Sequence, residues 1–127
     1  MSIDRLTTNP AWGFSDAVTT SGAGRLIHVS GNVGFGSDAK VVPGGMEAEA
    51  RATFANIERT LNSLGADLSH VVKISAFITD LEQYPAYAAV RAEVFGDQLP
   101  ASATVGVAGL LVGAQIEIDA VAFVPEG

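Results

Sequence analysis

The segment QIEIDAVAF, residues 115–123, carries two carboxylates on one side of a strand that is otherwise aliphatic. Read with the two-residue alternation of a strand, Ile116, Ile118, Ala120 and Ala122 form one face. Gln115, Glu117, Asp119, Val121 and Phe123 form the other. The first face is core. The second begins polar and ends apolar, which suits neither plain solvent exposure nor plain burial. A carboxyl group sheltered in a cleft holds its proton to higher pH than one in water, and that suits proton transfer. Taken by itself, Glu117 also reads as a glutamate on an exposed strand edge. Asp119 reads as a surface or intersubunit ion-pair residue.

Other chemistries find little support. The chain has no cysteine, so disulfides, thiol nucleophiles and thiolate metal sites are excluded. His28 and His70 lie far apart, with no second ligand at helical or hairpin spacing, so no metal site is expected. His28 alternates with Leu26 and Ser30 and reads as a hydrogen-bonded structural histidine. Serines are plentiful, but nothing fixes a serine–histidine–aspartate geometry. The glycines of GNVGFGSDAKVVPGG have neither dinucleotide-binding spacing nor the lysine and hydroxyl of a phosphate loop, and read as turns.

The elements that must position Glu117 follow from the pattern. With 127 residues and 48% hydrophobic content, the chain fits one domain with a real core. RLIHVS is a strand after the turn TTSGAG. GMEAEARATFANIERTLNSLG is a helix with Met46, Ala50, Phe54, Ile57, Leu61 and Leu64 in one stripe. Glu47 and Glu49 suit its positive N-terminal end, and Gly65 is its stop. VVKISAFIT is a strand. Asp80 caps a short turn, with Gln83 three residues on, and a helix begins again at Pro85 and runs to Phe95. It presents Tyr87, Val90 or Arg91, and Val94. ASATVGV and QIEIDAVAFV are strands around the loop AGLLVGA. This order predicts an α+β fold with two helices on one face of a mixed sheet. The other face keeps apolar groups that nothing in the chain can cover, so another subunit is the expected cover.

Charge narrows the partners. The charged fraction is 17% and the formal net charge is −7, and five arginines and two lysines are scattered without a basic run. Nucleic acid and anionic membranes are therefore disfavoured. The start MSIDRLTTNP lacks an apolar signal core, and ATVGVAGLLVGA is too short to span a bilayer. A cytoplasmic location is the expectation.

LPASATVGVAGL followed by QIEIDAVAF resembles the C-terminal signature of the Rid family, also called YjgF or L-PSP proteins. HVSGNVG resembles the family's serine–glycine strand end, and VVKISAFITDLEQYPAYAAV its central strand–helix unit. The resemblance runs from about Trp12 to Phe123. It implies a chorismate-mutase-like fold, a homotrimer, and clefts between neighbouring subunits. It also implies hydrolysis of enamines and imines to keto acids and ammonia, with no metal or organic cofactor and a small molecule as partner.

The resemblance assigns Glu117 to the family's catalytic glutamate, which orders the attacking water. Thr104 falls near the bound substrate, either holding water or substrate by its hydroxyl or serving as a β-branched strand residue. Gly31 falls at the glycine whose backbone meets the ligand, unless it is a plain turn. Ser102 is a departure, since deaminating members place there an arginine that grips the substrate carboxylate. Phe14 replaces a tyrosine, and Ala88 an asparagine carried by some members. The pocket is therefore expected to be less polar, with Trp12 and Phe14 as walls or as ordinary packing. Arg25, Arg51, Arg59, Arg91 and Lys73 are substitutes for the lost cation by charge alone. The specificity is then expected to differ from that of 2-aminoacrylate deaminases. A non-catalytic trimer that binds a metabolite or protein is the alternative.

Overall fold

A computed structural model of the chain describes residues 3–126. Its main sheet has four strands in the order β3-β6-β4-β5: β3 (Gly24–Asn32), β4 (Val71–Ile78), β5 (Ala101–Gly106) and β6 (Ile116–Pro125). Strand β6 runs antiparallel to both β3 and β4, and β4 runs parallel to β5. Helices α1 (Gly45–Ser63) and α2 (Tyr84–Phe95) lie on one face, as the expected α+β layout requires.

Alternation along β6 comes out as read. Ile116, Ile118, Ala120 and Ala122 are buried against the helices, packed with Ile74, Ala76 and Ile78 of β4 and with Phe54, Ile57 and Leu61 of α1. Gly65 follows α1 in a left-handed conformation (φ 77°), the backbone that glycine adopts most readily after a helix. Asp80 accepts the Glu82 N–H, and Pro85 sits in the first turn of α2, where its missing N–H is not needed.

One reading of α1 is corrected. Leu64 lies beyond the last helical residue and is 47% exposed, so the apolar stripe ends at Leu61. Of the two glutamates near the helix start, Glu47 lies in the first turn and Glu49 beyond it. Glu49 is buried, and its Oε1 accepts the Gln115 N–H at 2.8 Å.

The first strands were not foreseen. β1 (Ile3–Leu6) pairs antiparallel with β2 (Ala17–Thr20) as a separate two-stranded sheet. Arg5 ties this sheet to the main one, donating to the carbonyls of Ser69 (2.8 Å), Leu99 (2.9 Å) and Val71 (3.1 Å). A bridge from Ser15 to Ala101 places the intervening turn against the outer edge of β5.

The sheet face away from the helices is uncovered by the chain itself. Leu26 and Val105 on that face are 56% and 46% exposed. His28 stands there too, exposed and with no side-chain hydrogen bond among the described residues, so it is not the hydrogen-bonded structural histidine expected from its strand. His70 instead closes a capping box with Asp67. Among the described residues no group of three histidine, cysteine or acidic side chains is placed to hold a metal, and no helix is long and apolar enough to cross a membrane.

Candidate active site

Glu117 projects from β6 on the uncovered face. Its neighbour across β4 is Phe77, and both are half-buried. On the other side, β3 breaks register between Val29 and Asn32, and this bulge brings Gly31 to the carboxylate. A β-carbon on Gly31 would fall 2.1 Å from Glu117 Oε2. Gly31, Asn32, Val33, Phe35, Leu111, Val112 and Glu117 line a cavity of about 250 Å³. Leu111 and Val112 are 81% and 64% exposed at its rim. A carboxylate there meets one bare backbone and an apolar wall, which suits a proton-transfer group beside a small bound molecule.

Ser102 and Thr104 lie elsewhere. Thr104 pairs with Ala76, the residue before the partner of Glu117, so the two side chains point to opposite faces of the sheet. Within one chain Glu117 and Gly31 are brought together, and Ser102 and Thr104 are brought together, but the two pairs are not joined. Phe14, Tyr84, Arg91, Ser102 and Thr104 line a second cleft of about 290 Å³.

Arg91 dominates this second cleft. It is 1% exposed, although it is a full cation. Its Nη2 donates to the Trp12 carbonyl at 3.0 Å and to the Tyr84 hydroxyl at 2.9 Å. Its guanidinium carbon lies 5.5, 5.6 and 5.2 Å from the ring centres of Phe14, Tyr84 and Tyr87. Gly13, at φ 80°, makes the turn that lays Trp12 and Phe14 over it. A β-carbon at Gly13 would sit 3.3 Å from Nη2. Beneath, burial pushes the Tyr87 phenol above its ordinary pKa, opposed by the charge of Arg91 and by the side chains of Arg91, Ser102 and Thr104.

The family model for Endoribonuclease L-PSP matches residues 5–124. The chain belongs to the Rid (YjgF, L-PSP) family. It is 33% identical over 117 residues to a 2-iminobutanoate/2-iminopropanoate deaminase of Dermatophagoides farinae, covering 91% of this chain and 89% of that one. It is 35% identical over 99 residues to the protein of that name from Rattus norvegicus, covering 77% and 72%. Among solved structures, the Rid-family protein YyfB of Yersinia pestis, whose function is unknown, superposes with a TM-score of 0.85 at 25% identity. That match covers 96% of this chain and 98% of the other. RidA from the Antarctic bacterium Psychrobacter superposes at 0.77 with 26% identity, covering 94% and 100%.

In this Rid protein Phe14 lines the second cleft, whereas Trp12 contributes its carbonyl and stacks on Phe14 at 6.0 Å while remaining 59% exposed. Ala88 is half-buried on α2 and is not a lining residue of either cavity. Arg91, one of the candidate cations, lines the same cleft as Ser102. Of the other cations, Arg51 is exposed and paired with Glu47 and Glu93, Arg59 bonds Asn56, Arg25 bonds the Leu64 carbonyl, and Lys73 is exposed. Sequence reasoning missed Tyr84 and Glu49. The first was hidden beside a proline, and the second was read only for its charge near the helix N-terminus.

Proposed function

We propose that this Rid protein is a cofactor-independent hydrolase of small imines and enamines, with Glu117 as its proton-handling group. In this reading an enamine first becomes its imine by protonation at carbon, and the imine carbon is electrophilic once its nitrogen is protonated. Glu117 takes a proton from water as the new C–O bond forms. The proton passes to the amino nitrogen of the tetrahedral adduct, and as the C–N bond breaks Glu117 takes the proton of the adduct's hydroxyl, so that keto acid and ammonia leave. The observation that carries the reading is the seat of Glu117 against Gly31 in a small cavity of a chain whose relatives are named imine deaminases.

The complete site, in this proposal, forms between copies of the chain in a homotrimer. Two features support it. The cavity of Glu117 opens on an uncovered sheet face that exposes Leu26 and Val105, and Ser102 and Thr104 face away from it within one chain. A second copy can present its β5 edge to the first copy's Glu117.

Imines generated in situ by an amino-acid oxidase test the chemistry. Wild type is expected to hasten their hydrolysis, with kcat/KM falling by about 10²–10⁴ in Glu117→Gln. Equal rates for the two proteins would remove Glu117 from the mechanism. Ligand-induced thermal stabilisation without turnover would select a metabolite-binding protein instead. Light scattering on the eluting protein tests the assembly, and a monomer with full activity sinks the shared cleft.

A further inference from the structure

Arg91 is a buried cation without a counter-ion. Among the described residues no carboxylate lies within 4.0 Å of it. Three aromatic rings and two neutral acceptors offset part of the desolvation, but a buried charge without a counter-ion remains unfavourable. Around it the hydrogen-bonding is incomplete in one place. Arg91 Nε and Ser102 Oγ are both buried and, among the described residues, neither makes a hydrogen bond of good geometry; the Tyr87 hydroxyl, buried as well, lies close enough to interact with both side chains. Buried polar groups are rarely left this way, and a cation and a hydroxyl lining one cleft with donors to spare point to a missing acceptor. Arg91 and Ser102 also line the same cleft of about 290 Å³.

We propose that Arg91 and Ser102 form a binding site for a small organic carboxylate. The guanidinium supplies the fixed charge, its Nε–H and the Ser102 hydroxyl donate to the anion, and Phe14 and Tyr84 wall the cleft. The charge absent from position 102 is thereby supplied from α2. A serine suits that arrangement, because a longer cationic side chain at 102 would meet Arg91. The identity of the anion as the substrate's own carboxylate rests on the proposed imine hydrolysis; the anion site itself does not.

Calorimetric titration of the full chain with 2-oxobutanoate and with its methyl ester tests the site, since the two probes differ in charge. Wild type is expected to prefer the acid by about tenfold or more, as a charge-assisted contact would give. Arg91→Gln should reduce the preference to within about twofold, and Ser102→Ala should weaken the acid severalfold while leaving the ester unchanged. A folded Arg91→Gln that keeps the preference, or a wild type with none, overturns the proposal. Should Arg91→Gln fail to fold, Ser102→Ala decides. It removes a buried hydroxyl that makes no hydrogen bond of good geometry and is expected to fold at least as well as wild type, and equal losses for acid and ester in it overturn the site. Turnover on the same proteins keeps the two ideas apart. A preference for the acid without imine hydrolysis sinks the hydrolase and leaves the anion site. Imine hydrolysis with an Arg91-independent preference does the reverse.

Discussion

Glu117 Oε2 occupies the space that a side chain at Gly31 would need, with only 2.1 Å between that oxygen and a β-carbon built on the glycine. Gly31 is not in a left-handed conformation, so alanine is compatible with its backbone. Gly31→Ala is therefore expected to fold and to push the carboxylate aside. Its kcat should fall to within about tenfold of Glu117→Gln, at the scale of a lost acid–base group. Steady-state kinetics on imines generated in situ would measure this, and wild-type kcat in Gly31→Ala would show that the contact has no part in positioning Glu117.

Glu49 holds the entry to the same strand. Its buried carboxylate accepts the N–H of Gln115, two residues before Glu117. Glu49→Ala leaves that N–H without a partner and should cost about 1–3 kcal/mol in stability. Glu49→Gln keeps an acceptor oxygen and should recover most of the stability and the kcat. Denaturant melts read the first effect and turnover the second. A stable Glu49→Ala with unchanged kcat would confine Glu49 to packing.

Arg5 donates to three backbone carbonyls, those of Ser69, Val71 and Leu99, and so fastens the first two strands to the main sheet. Arg5→Ala is expected to lower stability by about 2–3 kcal/mol, the scale of losing charged hydrogen bonds to partly buried acceptors. Arg5→Lys should restore less than half, because an ammonium lacks the planar fork. The urea midpoint should move at constant slope. No shift in Arg5→Ala would mean that the carbonyls are served equally well by water.

The Tyr87 phenol has its pKa raised by burial, with the Arg91 charge opposing. Its neutral form is thus favoured by folding. That contribution is fully present below the unfolded tyrosine pKa of about 10 and is lost as pH rises from there through the folded value. Wild type should lose stability across this alkaline window, and Tyr87→Phe should lose less. Parallel pH profiles of unfolding for the two proteins would contradict the assignment.

Much of this molecule is legible before any coordinates. The alternation of Ile116, Ile118, Ala120 and Ala122 requires a buried face, and the stripe from Met46 to Leu61 requires a helix packed on it. These signals are local and periodic, so they survive without knowledge of neighbours. The closing signature around Glu117 also fixes the family. The β1–β2 sheet escapes this reading, because strands of four residues leave little alternation and depend on long-range ties such as Arg5.

What only tertiary structure decides is where charges end up. In sequence, Arg91 is one of five scattered arginines and Glu49 a glutamate near the start of a helix. Packing turns the first into a buried cation facing Ser102 and the second into a strap on β6. It also separates Ser102 and Thr104 from Glu117, because strand register assigns adjacent positions to opposite faces. Periodicity determines which residues avoid water, while the pairing of polar atoms depends on contacts between segments far apart in the chain.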